Sequence, residues 1–299
     1  MLKPSQMKRH AIFTAIVGDY DEVLQPRVID DRFDYILFSN EIPETQIGVW
    51  QIRPIPYSNC IQTKTARWVK THPEYLLPEY VSSLWIDASI SIASQQIYDR
   101  FLAIESSPNV IASIPHPNRH CAYGELLAVI SHGFEREKTA LAWGRHLRRE
   151  GYPRNNGLFE TGMLYRKHCP KVDAVDALWW QCIDKYSRRD QLSFDYCLWK
   201  HDIKCIHFMN DNMTVWNSDL VHYNPLHKNT QYRKVIIERK EGWVARWSSH
   251  SPDRTQRAAD LYYHICGLPC PTIAATITGQ YLRLTDIVKR FLSKHVKNA

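Results

Sequence analysis

Up to about residue 230, short apolar runs alternate with stretches of helical periodicity. Residues 10–17, 33–38, 82–86 and 110–114 are apolar runs bounded by polar or turn-forming residues, the pattern of buried sheet strands. Residues 50–55 alternate, and their prolines mark an edge-like strand. Residues 163–166 and 204–208 read as short later strands.

Between these runs the period changes. Residues 60–72 read as a helix that carries Lys64, Arg67 and Lys70 on one face. That face is either solvated or turned toward an anion. Residues 97–104 read as a second helix. Residues 122–150 read as two more, broken near Ser131-His132-Gly133, with Glu125 early and Arg145, Arg148 and Arg149 late, as the helix dipole favours. Residues 155–162 read as a loop, 172–186 as an amphipathic helix with core-facing Trp179 and Trp180, and a further helix starts near Ser187, a plausible cap.

This alternation predicts an α/β domain over residues 1–232 and a C-terminal extension over 233–299. The extension ends in a helix over 285–297, with Ile287, Val288, Phe291, Leu292 and Val296 opposite Lys289, Arg290, Lys294 and Lys297. Such a face either lies on an anionic membrane, as a peripheral contact, or packs on the body of the protein.

Composition narrows the partners. With 44% hydrophobic and 23% charged residues, the 299-residue chain has the make-up of a soluble globular protein and can bury a core without disulfides. Its net charge of +7 favours anionic partners: nucleotide diphosphates, lipid headgroups or nucleic acid. No arginine-rich repeat or nucleic-acid motif supports the last, so nucleic acid is not expected. The 8 cysteines show no CxxC pair, which argues against a zinc ribbon or a disulfide framework and for a reducing compartment. Cys266 and Cys270 near His264 read more readily as buried thiols than as a metal site. No run of ~20 apolar residues predicts a membrane span. The apolar run after Lys3, Lys8 and Arg9 is a first strand rather than a signal peptide. The expected location is cytoplasmic, at the inner face of the membrane if the terminal helix docks there.

The chemistry centres on Ser82 to Ile92. Leu84-Trp85-Ile86 is a buried run that ends in Asp87, and a charge there needs a partner. Carboxyl ends of strands are where α/β proteins bind ligands. Asp87 either holds a divalent metal that holds a diphosphate, or caps a helix starting near Ser91 or Ser94.

Four stretches stand together in order: Thr14-Ala15-Ile16-Val17-Gly18-Asp19-Tyr20-Asp21, Trp85-Ile86-Asp87-Ala88-Ser89, Glu160-Thr161-Gly162 with Arg166, and Arg188-Arg189-Asp190-Gln191-Leu192-Ser193-Phe194. With His116-Pro117-Asn118-Arg119-His120-Cys121-Ala122-Tyr123-Gly124-Glu125 and Trp179-Trp180, they resemble the glycosyltransferase-like domain of plant turgor-regulation and mucilage proteins over about residues 11–210. More distantly the layout is similar to retaining sugar-nucleotide transferases of the glycogenin and lipopolysaccharide-galactosyltransferase type. Against their D-x-D, N-x-G, D-Q and H-x-x-G-x-x-K motifs stand Asp87-Ala88-Ser89, Glu160-Thr161-Gly162, Asp190-Gln191 and His222 to Lys228. Ser89 replaces the second aspartate, and Asn224-Pro225 the glycine step.

The resemblance implies a GT-A-like, Rossmann-related mixed sheet flanked by helices. It implies transfer of a sugar from a nucleotide diphosphate sugar donor to a glycan or lipid-linked acceptor in surface-polysaccharide synthesis, with retention implied by the distant likeness. Mn²⁺ or Mg²⁺ on Asp87, Ser89 and His222 would act as a Lewis acid on the leaving diphosphate, with Lys228, Lys64 and Arg67 adding charge. Thr14, Ile16 and Tyr20 would border the nucleotide base. Asp190 with Gln191 would stabilise an oxocarbenium-like transition state, or Asp190 is a capping acid held by Arg188 or Arg189. Glu160 would orient or deprotonate the acceptor hydroxyl, or pair with Arg166. His116 and Arg119 would bind acceptor or phosphate, or serve the turn alone. Two other classes share these residues: a metal-dependent hydrolase and a non-catalytic glycan- or lipid-binding protein.

Overall fold

The computed structural model describes residues 10–210 and 213–228. The expected boundary at 232/233, the 285–297 helix, and Cys266, Cys270 and His264 lie outside the described residues.

In chain order the elements are β1 (His10–Ala15), β2 (Phe33–Phe38), β3 (Gln46–Ile47), β4 (Trp50–Arg53), α1 (Gln62–Lys70), α2 (Pro73–Leu76), β5 (Ser82–Ile86), β6 (Ile90–Ile92), α3 (Gln96–Glu105) and β7 (Ile111–Pro115). There follow α4 (Ala122–Ser131), α5 (Glu137–Arg149), β8 (Phe159–Lys167), α6 (Pro170–Lys185), α7 (Gln191–Lys200), β9 (Ile206–His207) and β10 (Val221–Tyr223). Eight strands form one mixed sheet in the order β3-β4-β2-β1-β5-β8-β7-β9, and β10 pairs with β6 in a small second sheet. The α/β class is the one that the alternation predicts, and the mixed sheet flanked by helices is what the resemblance implies.

The strand order sets where ligands go. From β1 the parallel strands run outward through β2 to β4, and the chain then returns to lay β5 parallel on the other side of β1. The order therefore reverses between β1 and β5. A crevice opens at the carboxyl ends of strands at such a switch point. The β1 end carries Thr14 to Asp21, and the β5 end carries Asp87.

The strands form where apolar residues are densest. β1, β5 and β7 are almost wholly buried, and Ile12, Leu37, Leu84, Ile86 and Tyr165 share one core cluster. β8 lies antiparallel between β5 and β7. It begins at Phe159, earlier than the expected 163, because a register shift at Ser113/Ile114 lets β7 pair on to Glu160 and Phe159. Glu160-Thr161-Gly162 is thus strand rather than loop. The helix considered near Ser91 or Ser94 starts at Gln96, because Ile90–Ile92 pairs with β10 instead.

The described residues fall into two compact units: 10–117 with 157–228, and Asn118–Asn156. The second lies within the expected 1–232 domain. It holds α4 and α5, where the Tyr123 hydroxyl donates to the Tyr152 carbonyl at 3.0 Å. No helix among the described residues is long and apolar enough to cross a membrane.

Candidate active site

β5 places Asp87 at the switch point. Its amide donates to the Gly162 carbonyl at 2.8 Å, and its own carbonyl accepts from Ile90, so the Asp87-Ala88-Ser89 turn is fixed between β8 and β6. Gly162 is the residue that β8 can bring this close: a Cβ there would stand 3.3 Å from Ile90 Cδ1 and 3.7 Å from Asp87 Oδ2. Asp87 Oδ1 accepts from Trp85 Nε1 at 2.7 Å.

Asp190 reaches the same place from α7. It occupies the N-cap position but makes no side-chain cap bond. Its carboxylate turns inward, accepting from Lys70 Nζ at 2.5 Å and Thr161 Oγ1 at 2.9 Å, with Arg67 Nε at 3.2 Å. Lys70 Nζ and Arg67 also stand 3.5 and 3.6 Å from Asp87 Oδ1. Two acids far apart in sequence thus share two cations from consecutive turns of α1.

Lys70 is fully buried, its ammonium 5.4 Å from the centroid of the Trp85 ring and 5.8 Å from that of Trp179. Desolvating such a charge costs several kcal/mol unless it is paired. Aromatic faces and two carboxylates offset that cost here. Burial raises the proton affinity of Asp190, but Arg67 and Lys70 outweigh it and hold the carboxyl well below its usual range. Burial likewise lowers the Lys70 pKa, with Asp190 and Asp87 opposing it. At neutral pH Asp190 is an ionised, preoriented carboxylate. Beside it, the buried Gln191 Nε2 has no hydrogen-bond partner among the described residues, a donor they leave unused.

The β1 end supplies a second group. Thr14 Oγ1 is buried and has no partner among the described residues. It lines a small cleft with Ile16, Leu37, Trp50, Ile86 and Ala88. After β1 the chain turns through Gly18 and Asp19, both at positive φ (71° and 52°). That conformation costs little for Gly18 and strains Asp19. The turn presents Tyr20 and Asp21. Asp21 is raised above the usual carboxylate range, chiefly by burial, with the nearby charge of Asp87 acting in the same direction.

The other expected residues are spread more widely. Lys64 pairs with the exposed Asp184, Nζ to Oδ1 2.9 Å. Lys228 pairs with Asp19 at 2.6 Å. His222 stands exposed on β10, opposite Ser91. Ser89 is tied to the same segment, its carbonyl accepting from Asn224 at 2.8 Å. Glu160 is buried on β8, and Arg166, its considered partner, pairs instead with Asp176 at 2.9 Å. His116 donates its amide to Leu158 at 2.8 Å. Within the Asn118–Asn156 unit, Arg119 Nε donates to Glu125 at 2.5 Å. Lys70, Thr161, Trp85, Trp179, Asp21 and His227 also stand around these groups, although motif reading names no role for them there. For Lys70 a signal existed, its three-residue spacing from Arg67.

A divalent ion held by side chains has a poor fit here. Among the described residues no three His, Cys, Asp or Glu side chains are grouped to hold a metal. Asp87 Oδ1 already accepts from an indole and faces two fixed cations. A metal against it would meet their charge.

No curated protein matches the chain. Among solved structures it is similar to the WbbM bifunctional glycosyltransferase, with a TM-score of 0.40 at 10% identity, covering 69% of this chain and 40% of that one. It is also similar to mouse xyloside xylosyltransferase 1, with a TM-score of 0.37 at 10% identity, covering 79% of this chain and 94% of that one. The chain thus spans less than half the length of WbbM. A family model matches residues 4–218, taking in both aspartates, α1 and the β1 turn, and by that match the chain belongs to the TOD1/MUCI70 glycosyltransferase-like domain family.

Proposed function

We propose that the protein is a glycosyltransferase that moves a sugar from a nucleotide diphosphate donor to a hydroxyl of a glycan or lipid-linked acceptor. The observation that carries this reading is the pair of aspartates at the switch-point crevice, both set against Arg67 and Lys70. In the reaction, the bond between the anomeric carbon and the diphosphate oxygen breaks and a bond to the acceptor oxygen forms. Positive charge builds on the sugar ring between these events, and the ionised Asp190 offsets it. Gln191 Nε2 donates to a sugar hydroxyl, and Thr161 keeps the Asp190 carboxylate aimed. Glu160 orients the acceptor and takes its proton.

Thr14, Ile16 and Tyr20 border the base, and Arg67 with Lys228 faces the diphosphate. On the acceptor side His116 binds the incoming hydroxyl compound, and retention of configuration follows from a front-face role of Asp190. A Mn²⁺ or Mg²⁺ ion would have Asp87, Ser89 and His222 to hold it. Asp87 already faces two fixed cations, so neutralising the leaving diphosphate falls to Arg67 and Lys228. Surface-polysaccharide synthesis at the inner face of a membrane would suit a lipid-linked acceptor and the basic 285–297 segment.

The test is a panel of nucleotide sugars read by release of free nucleotide, with Asp190→Asn beside the wild type. A donor turned over by wild type and lost by at least a hundredfold in the variant supports the proposal. Equal turnover by both, or no binding of any nucleoside diphosphate, refutes it.

A further inference from the structure

After β9 the chain returns to the crevice through residues 221–228. β10 pairs with β6, and the Asn224 amide donates to Ser89. Leu226 then bonds the Asn224 side chain at 3.0 Å, a local turn that sends the chain toward the β1 end. There His227 Nδ1 stands 2.5 Å from Asp21 Oδ1, and its ring stacks on Tyr20 with centroids 4.4 Å apart and planes at 26°. The segment therefore ties the turn after β5 to the turn after β1, one lip of the crevice to the other.

Its two contacts with the β1 turn differ in kind. Lys228 and Asp19 are 52% and 62% exposed, and such pairs contribute little. His227 and Asp21 are only 12% and 15% exposed, and the stacked Tyr20 ring adds apolar contact. The turn needs an external hold, because Gly18 and Asp19 both take left-handed backbone and Asp21 carries its charge near Asp87.

We infer that His227 is a positioning residue for the donor: by fastening Asp21 and stacking on Tyr20 it sets the β1 lip of the crevice before the nucleotide arrives. This rests on the donor reading above. His227 touches no reacting atom, so its loss raises the donor KM and leaves kcat nearly unchanged. His227→Phe keeps the stack and loses the bond to Asp21, whereas His227→Gln keeps a donor for Asp21 and loses the ring.

The test uses the full chain. Amide exchange of residues 18–22 is measured without ligand, and binding of uridine, guanosine and adenosine diphosphate by calorimetry. In His227→Ala we expect exchange of those amides at least tenfold faster. The best-bound diphosphate should weaken about tenfold, and kcat at saturating donor should stay within threefold of wild type. His227→Phe and His227→Gln should each recover part of the affinity. If wild type binds one of the three and His227→Ala binds it equally well, this inference is overturned while the donor reading stands. Wild type that binds none of them, nor cytidine or thymidine diphosphate, overturns both.

Discussion

Lys70 and Asp190 form a buried ion pair, Nζ to Oδ2 2.5 Å, with side chains 0% and 4% exposed. Breaking such a pair from one side leaves an uncompensated buried charge, at a cost of about 3–5 kcal/mol. Asp190→Ala should therefore lose stability on that scale as well as activity. Adding Lys70→Met should restore about half the stability and none of the activity. Chemical denaturation of the two single variants and the double variant checks this; additive losses would mean that the pair is not coupled.

The two basic neighbours on α1 should separate. Arg67→Ala removes a cation that faces both aspartates and should weaken donor binding by at least tenfold. Lys64→Ala breaks an exposed pair with Asp184, worth under about 1 kcal/mol, and should leave donor affinity within threefold. Calorimetry with a nucleoside diphosphate distinguishes them.

Thr14 offers a test in which stability and binding move oppositely. Its buried hydroxyl lacks a partner among the described residues, so Thr14→Val should hold or raise the melting temperature. The same change should weaken nucleotide binding about fivefold if the hydroxyl bonds the base. A drop in melting temperature with unchanged affinity would assign the hydroxyl to the fold.

Asp195 predicts a pH dependence. It is buried, its Oδ2 accepts from the Phe159 amide at 3.2 Å, and burial pushes its pKa up to about 7 despite that bond. A carboxyl raised above its ordinary value of 3.8 binds its proton more tightly in the folded state. Its stabilising contribution is complete below that value and is lost as pH rises through about 7. Asp195→Asn keeps an acceptor for Phe159 and cannot ionise. It should match wild type near pH 4 and exceed it in melting temperature at pH 8. Parallel profiles for the two proteins would contradict this.

The poor fit for a side-chain-held metal gives a further prediction. Binding of a nucleoside diphosphate should survive excess EDTA with less than a tenfold loss. Complete loss, restored by Mn²⁺, would show that the diphosphate itself completes a site on Asp87.

Much of this arrangement can be read from the residues. The apolar runs at β1, β2, β5 and β7 mark the sheet, and the strand that ends in Asp87 marks the crevice. What periodicity cannot reach is partnership at long range. The spacing of Lys64, Arg67 and Lys70 identifies a common face, but Asp184 and Asp190 each lie 120 residues from their lysine. Only the folded chain shows that one end of that face meets an exposed aspartate and the other a buried one. Ser187 reads as the cap of α7, yet its hydroxyl accepts from Arg189 and the N-cap falls to Asp190, whose carboxylate is drawn away by tertiary charges. β6 and β10 have three residues each, too few to carry a period, so the return of residues 221–228 to the crevice has no local signature.

The seat of Lys70 between two indole rings also makes it a natural reporter. An amine that solvent cannot reach resists acylating reagents while the exposed lysines react. Its labelling rate, read in a peptide digest, would then track opening around α1, with no probe attached and no substrate known.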